Sequence, residues 1–360
     1  MKEIKVSAPG RICLFGEHQD YLNLPVIPMA IDLRVSIIAI PRDDTVFHIQ
    51  LPDIGEEEIL DFSIDGEFEY VKERDYFKSL YNVLYRKGIR FECGYDCVVQ
   101  GNIPINSGTS SSSALNNIWC RFLLDVGENV RSTWKEAEQV GRFSYEAEVL
   151  EFNEPGGMMD QLSTAIGGIS FIDFSDQNRI EKLDCTLGTF VLGDSLQPKD
   201  TRKILAQTKA PALAAKEKIL AAGYEFDFTK ITDIERFTEI LTENEYRVLN
   251  AMLKNRDITQ EALGLLRESA VDHQAIGTLL TKHHRYLAED LKISTPKIDR
   301  MLEAAISAGA YGGKINGSGG GGCMFAYAPG NSEQVKKAIE NIGAKAFIIS
   351  TDSGLLIENS

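Results

Sequence analysis

Apolar positions along the first hundred residues fall in short alternating runs. The segment 12–15, Ile12-Cys13-Leu14-Phe15, and the segments 33–40 and 93–99 read as strands, while 77–86 carries helical spacing. Apolar residues recur at helical intervals again from Ala114 to Leu124. Two further strands are expected at 167–173 and 189–194, the second closing the N-terminal half. From Lys199 to about Ala308 the pattern is almost wholly helical, with helices expected over 211–222, 233–253, 259–291 and 297–308. A strand at 323–327, a helix at 332–342 and a strand at 346–350 make a β-α-β ending. The pattern shows no internal repeat.

Four polar or glycine-rich segments interrupt this pattern, and they carry the candidate chemistry. The first, Pro104-Ile105-Asn106-Ser107-Gly108, leads through Thr109, Ser110, Ser111, Ser112 and Ser113 into the helix that starts near Ala114. A glycine, a run of hydroxyls and the free amides of a helix start make a cradle for phosphate. No G-K-[ST] follows, so this is not a P-loop. Alone, such a run is more often a plain helix cap or a flexible loop. The second segment, 312–323, holds seven glycines and runs straight into the apolar residues Met324-Phe325-Ala326. An ordinary hairpin needs one or two glycines, so this backbone is expected to lie against a bulky ligand; alone it would equally be a flexible linker, but the flanking apolar residues make it a loop tucked between packed elements.

The third segment follows the strand 12–15: Gly16 ends it and releases Glu17, His18 and Asp20 together in a turn. Acceptors spaced this way suit a ligand with several hydroxyls, although a solvated acidic turn would read the same. In the fourth, a helix carrying Glu146 and Glu148 stops at Pro155-Gly156-Gly157, and another opens around Asp160. That aspartate fits either a helix-dipole charge or a base aimed at a hydroxyl.

Taken in this order, the four segments resemble the galactokinase, homoserine kinase, mevalonate kinase and phosphomevalonate kinase superfamily, the GHMP kinases, from Ala8 to Cys323. Gly10-Arg11, Gly16-Glu17-His18, Asp20-Tyr21 and Met159-Asp160-Gln161 look most like the galactokinase signatures. Cys13, Gln19 and Gly156 or Gly157 depart from them, and the 14–18 and 319–322 runs also look like mevalonate kinases. The resemblance implies an α/β (α+β) fold of two domains: a ribosomal-protein-S5-like α/β domain over 1–190, and a helical and ferredoxin-like domain over 191–360. It implies phosphoryl transfer from ATP with Mg²⁺ to a sugar hydroxyl, with galactose to galactose 1-phosphate as the first expectation. Another sugar, mevalonate, or a non-catalytic ATP and sugar sensor are the alternatives.

By the same resemblance Asp160 and Arg11 are catalytic, and Glu17, His18, Asp20 and Gly157 bind the substrate. Gly108, Thr109, Ser110, Ser111, Ser112, Ser113, Gly319 and Gly320 bind ATP, and Ser112 with Glu148 holds the metal. These residue types suit the chemistry, because phosphoryl transfer depends on positioning and charge neutralisation.

Composition narrows the picture. A chain of 360 residues can bury a sizeable core, and two joined α/β domains are the natural expectation. The formal charge of −15 argues against nucleic acid or an anionic membrane as partner. The start Met1-Lys2-Glu3-Ile4-Lys5 does not read as a secretory signal, no run approaches a membrane span, and a cytoplasmic location is expected. The six cysteines form no zinc pattern and are expected to be reduced. His273, His283 and His284 are expected at the surface or core edge. Oligomeric state is left open.

Overall fold

A computed structural model describes residues 3–176, 178–199 and 201–359. In chain order the N-terminal half comprises β1 (Ile4–Phe15), β2 (Ile27–Pro41), β3 (Val46–Leu51), β4 (Glu56–Asp61), α1 (Tyr76–Arg86), β5 (Tyr95–Gly101), α2 (Ser111–Val126), α3 (Ala137–Tyr145), α4 (Met159–Ile166), β6 (Ser170–Asp173) and β7 (Arg179–Lys182). The rest comprises β8 (Phe190–Asp194), α5 (Thr201–Ala221), α6 (Glu243–Leu266), α7 (His273–Arg285), α8 (Pro296–Ser307), β9 (Gly312–Ile315), β10 (Cys323–Tyr327), α9 (Ser332–Asn341), β11 (Lys345–Ile349) and β12 (Leu356–Asn359).

The large sheet has the order β12-β1-β2-β5-β3-β4 and is antiparallel except for the β3–β5 pair. Parallel neighbours need a crossover, and the segment containing α1 supplies it. Burial of β1 is continuous from Ala8 to Phe15. Helices α2, α4, α6 and α7 all pack on this strand, so neither face is left to water. Phe47, Phe77, Trp119 and Phe122 interlock below α2, with ring centroids 5.3–5.5 Å apart around Trp119. The same apolar core continues without interruption to Phe190, Phe325 and Tyr327 of the second sheet. A second core lies among α5, α6, α8 and α9.

Several expectations shift. The strand near 189–194 pairs with β10 and β11 in the sheet β11-β8-β10-β9, so it opens the second sheet; periodicity marks a strand but not its partner. The first glycines of 312–323 form β9 rather than a loop. Helix α5 starts well before Pro211 and carries it internally, and Thr208 upstream is anchored to the turn after β1. Helix α6 runs through 254–258, where the charged stretch is accommodated by burying Arg256; its guanidinium donates to the carbonyls of Phe228 and Ile231 at 2.6 and 2.8 Å. The break comes instead at 267–272, where the Asp272 side chain caps α7. His283 is fully buried and stacks on Phe15, well inside the core edge expected of it, and burial holds its pKa far below the usual range. All six cysteines are free, and no described helix is long and apolar enough to cross a membrane.

Candidate active site

The C-terminal end of β1, the start of α2, the turn after α3 and the start of α4 converge on one cavity. Arg11 stands at its floor, 3 % exposed. Its backbone N–H donates to Thr109 O at 3.1 Å, which fastens β1 to the segment before α2. The guanidinium donates through Nε and Nη2 to Asp160 Oδ1 at 2.9 and 2.6 Å, and through Nη1 to Gly108 O. Burial pulls its pKa down, but Asp160 and then Glu17 outweigh that and leave it raised, so the cation is secure. Asp160 itself is one-third exposed and opens to the cavity.

Helix α2 presents its amino end to the same space. Its N-cap, Ser110, has φ of 61° and makes no capping bond, and Ser110 Oγ is buried without a partner among the described residues. No carboxylate occupies the first turn. Unfilled amides and an orphaned hydroxyl at a helix start are what an anion would satisfy. Gly108 is held here by close approach: a Cβ would stand 2.7 Å from Asn316 O, and Gly317 meets Gly108 equally tightly. The two glycine segments are therefore packed on one another.

Glu148 reaches the cavity from a π-helical turn, Glu146–Leu150, that extends α3. Gln161 Nε2 donates to its Oε2 at 2.7 Å, and the Ser112 and Ser113 hydroxyls face the same carboxylate. Burial raises the Glu148 pKa against these hydrogen bonds. Among the described residues no cluster of His, Cys, Asp or Glu forms a closed metal cage. One carboxylate beside one hydroxyl fits Mg²⁺ that arrives with phosphate oxygens, since this ion keeps few protein ligands.

Beyond Gly16 the chain bends and sets Glu17, His18, Asp20 and Tyr21 on the cavity wall. Asp20 accepts from the Tyr21 N–H at 3.0 Å and the Met159 N–H at 3.4 Å. Burial first, and Asp160 second, raise its pKa to about 6. Gly157 is required beside it, because a Cβ there would lie 2.2 Å from Asp20 Oδ2. His18 differs from expectation. Its Nε2 lies 3.0 Å from Ser318 O and its Nδ1 3.0 Å from the Tyr21 hydroxyl. A carbonyl can only accept, so Nε2 carries the proton, and both nitrogens are already engaged in holding the turn.

Arg11, Glu17, His18, Asp20, Gly108, Ser110, Ser111, Ser112, Ser113, Glu148, Gly157 and Asp160 thus come together. Thr109, Gly319 and Gly320 do not line the cavity. The Thr109 hydroxyl lies 2.9 Å from Ser107 Oγ and donates to Pro104 O. Gly319 packs on Ile293 and Gly320 on Ile204, so close approach of the protein itself excludes a side chain at either position. Lys199, Arg74, Lys314 and Asn316 join the site or its support without having been singled out by the sequence pattern. Lys199 lines the cavity, and burial followed by repulsion from Arg11 lowers its pKa. A lone lysine within a glycine run was the available signal for Lys314.

A base paired with a cation, an anion cradle, a carboxylate suited to Mg²⁺ and further carboxylates facing a polar cavity can together move an anionic group onto a hydroxyl. Family models match three stretches of the chain: the galactokinase galactose-binding signature at residues 2–41, the GHMP kinases N terminal domain at 75–168 and the GHMP kinases C terminal at 260–345. A galactokinase of Haemophilus influenzae (strain PittGG) is 26 % identical over 371 residues, covering 94 % of this chain and 89 % of its own. The fold is similar to that of Lactococcus lactis galactokinase complexed with galactose, with a TM-score of 0.83 at 22 % identity over 98 % of this chain and 95 % of that one. It is also similar to Methanococcus jannaschii mevalonate kinase, with a TM-score of 0.73 at 20 % identity over 97 % and 98 % of the two chains.

Proposed function

The chain belongs to the GHMP kinase superfamily, and on that premise we propose that it transfers the terminal phosphoryl group of ATP to galactose, giving galactose 1-phosphate. The observation that carries this reading is the facing of Asp20 and Asp160 in one cavity, the first inside the stretch matched by the galactose-binding signature. Asp160 takes the proton from the attacking hydroxyl, and Arg11 holds that carboxylate and neutralises charge that develops on the phosphoryl oxygens. Ser110 to Ser113 and the amides of α2 receive the phosphates. Ser112 and Glu148 would hold Mg²⁺, which supplies charge neutralisation on the phosphates when bound. Glu17 and Asp20 accept sugar hydroxyls, while His18 and Gly157 shape the turn that presents them.

The test is product analysis by ³¹P NMR with MgATP and a panel of D-galactose, other free hexoses and mevalonate. An anomeric phosphate on galactose is expected, at a rate that needs more Mg²⁺ when Glu148 is replaced by Gln. Phosphomevalonate in place of a sugar phosphate, or no phosphorylated acceptor at all, overturns the reading.

The elevated pKa of Asp20 adds a pH dependence. Only its ionised form accepts two hydroxyls, and kcat/KM reports ionisations of the free enzyme. As pH falls through about 6 the carboxyl gains a proton, so kcat/KM for galactose is expected to fall on the acid side of that value. Asp20→Asn is expected to lower kcat/KM throughout and to remove this inflection. A profile whose acid limb is the same in Asp20→Asn and the parent would assign the ionisation elsewhere.

A further inference from the structure

Lys314 is wholly buried on β9, next to the glycine segment, and is absent from the cavity wall. A buried ammonium has to be matched donor by donor. Lys314 Nζ donates to Cys13 O at 2.9 Å and to Glu17 Oε2 at 2.8 Å, and it lies 5.1 Å from the centre of the Phe325 ring. Glu17, 2 % exposed, receives a second bond on that same oxygen from the Gly317 N–H at 3.1 Å. Both bonds come from the C-terminal half, whereas Glu17 belongs to the turn after β1. Both of these bonds fall on Oε2, and Glu17 lines the cavity. One carboxylate oxygen is therefore tied down on the side of Lys314 and Gly317.

Lys314 reaches the site by a route that also passes through Asn316, two residues on. Asn316 Oδ1 accepts from the Cys13 N–H at 2.9 Å, and Asn316 Nδ2 donates to Gly108 O at 2.8 Å. The short segment Lys314–Asn316 thus grips both the N–H and the C=O of Cys13, with Glu17 on one side and the phosphate-cradle glycine on the other.

We propose that Lys314 is a positioning residue for the sugar: by fixing Glu17 Oε2 it sets Oε1 as an oriented acceptor for one sugar hydroxyl. The proposal rests on the reading that Glu17 meets the sugar. An acceptor fixed in advance loses less entropy on binding, and a buried carboxylate deprived of its cation turns toward another partner or takes up a proton. Removing Lys314 should therefore act on the sugar through Glu17 and leave ATP nearly untouched.

The experiment is a cycle of Lys314→Met, Glu17→Gln and the double variant, each measured for KM of D-galactose, KM of ATP, kcat and thermal midpoint. Lys314→Met leaves a buried carboxylate unpaired and is the variant at risk of unfolding. The double variant buries a neutral pair and keeps the test open. The expected result is a rise of ~10-fold in galactose KM for Glu17→Gln, about 1.4 kcal/mol, with ATP KM within twofold. Lys314→Met should show a galactose-selective rise as well, and the double variant should match Glu17→Gln. A double variant worse than Glu17→Gln by the full Lys314→Met factor, or equal losses for ATP and galactose, overturns the positioning role. An unchanged galactose KM in Glu17→Gln instead overturns the sugar contact on which the proposal rests, and the two failures are thus distinct.

Discussion

Asp160→Asn is expected to lower kcat by ~10²–10⁴, the usual contribution of a positioned general base, with the KM values of ATP and galactose within about tenfold of the parent. The substitution is nearly isosteric. The amide oxygen can still accept from Arg11 Nε and Nη2, which now share Oδ1, so the floor of the cavity should keep its shape. Losing its charge leaves the buried Arg11 cation to Glu17 and Gly108 O, so a lower thermal midpoint should accompany the loss of kcat. What disappears is the capacity to take a proton. Steady-state kinetics with both substrates varied, together with the thermal midpoint, make the measurement. A variant that keeps kcat within about threefold would show that the transition state draws on Asp160 for position alone, as a loose phosphoryl transfer permits.

Arg11 carries the second large effect. Arg11→Met is expected to reduce kcat by ~10²–10³, the scale seen when one preorganised donor to developing charge is removed. Stability should fall much less than the burial of Arg11 implies. Gly108 O keeps its donor from Asn316 Nδ2, and Asp160 remains partly solvated, so neither partner is left unsatisfied and dry. Arg11→Lys separates charge from shape. Lysine keeps the cation but lacks the rigid fork that now spans Asp160 and Gly108 O, and an intermediate kcat is expected. Equal kcat for the Lys and Met variants would make the fork, rather than the charge, the essential property; equal kcat for Lys and the parent would do the reverse.

Residues whose roles depend on local order were legible in the chain. The serines sit at the start of α2 because apolar spacing begins directly after them, and Asp160 opens α4 because the Pro-Gly-Gly turn ends the helix before it. Arrangements that depend on distant pairing were not legible. Nothing near Lys314 announces that the register of β9 will set it against Glu17, nearly three hundred residues earlier. The glycines at 319 and 320 obey the same logic: their abundance signals close approach, but only the folded chain reveals that Ile293 and Ile204 are among the groups that approach. His18 illustrates a third limit, since an imidazole beside two carboxylates looks like a ligand partner until Ser318 and Tyr21 are found on its nitrogens. Arg256 is a fourth, where a charged stretch resembling a helix break is stabilised by carbonyls contributed from 228 and 231.

The π-helical turn at Glu146–Leu150 makes the length of this segment as important as its composition. A π turn closes on i→i+5 rather than i→i+4 bonds and so takes up one extra residue, and removing a residue there would restore the ordinary repeat and shift the residues of the turn by one position against their neighbours. Glu148 would then face away from Ser112 and Gln161, although every side chain of the site was still encoded. Substitution at the exposed Leu150 would keep the carboxylate in place, whereas a single-codon deletion between Tyr145 and Glu151 would uncouple it from the cradle.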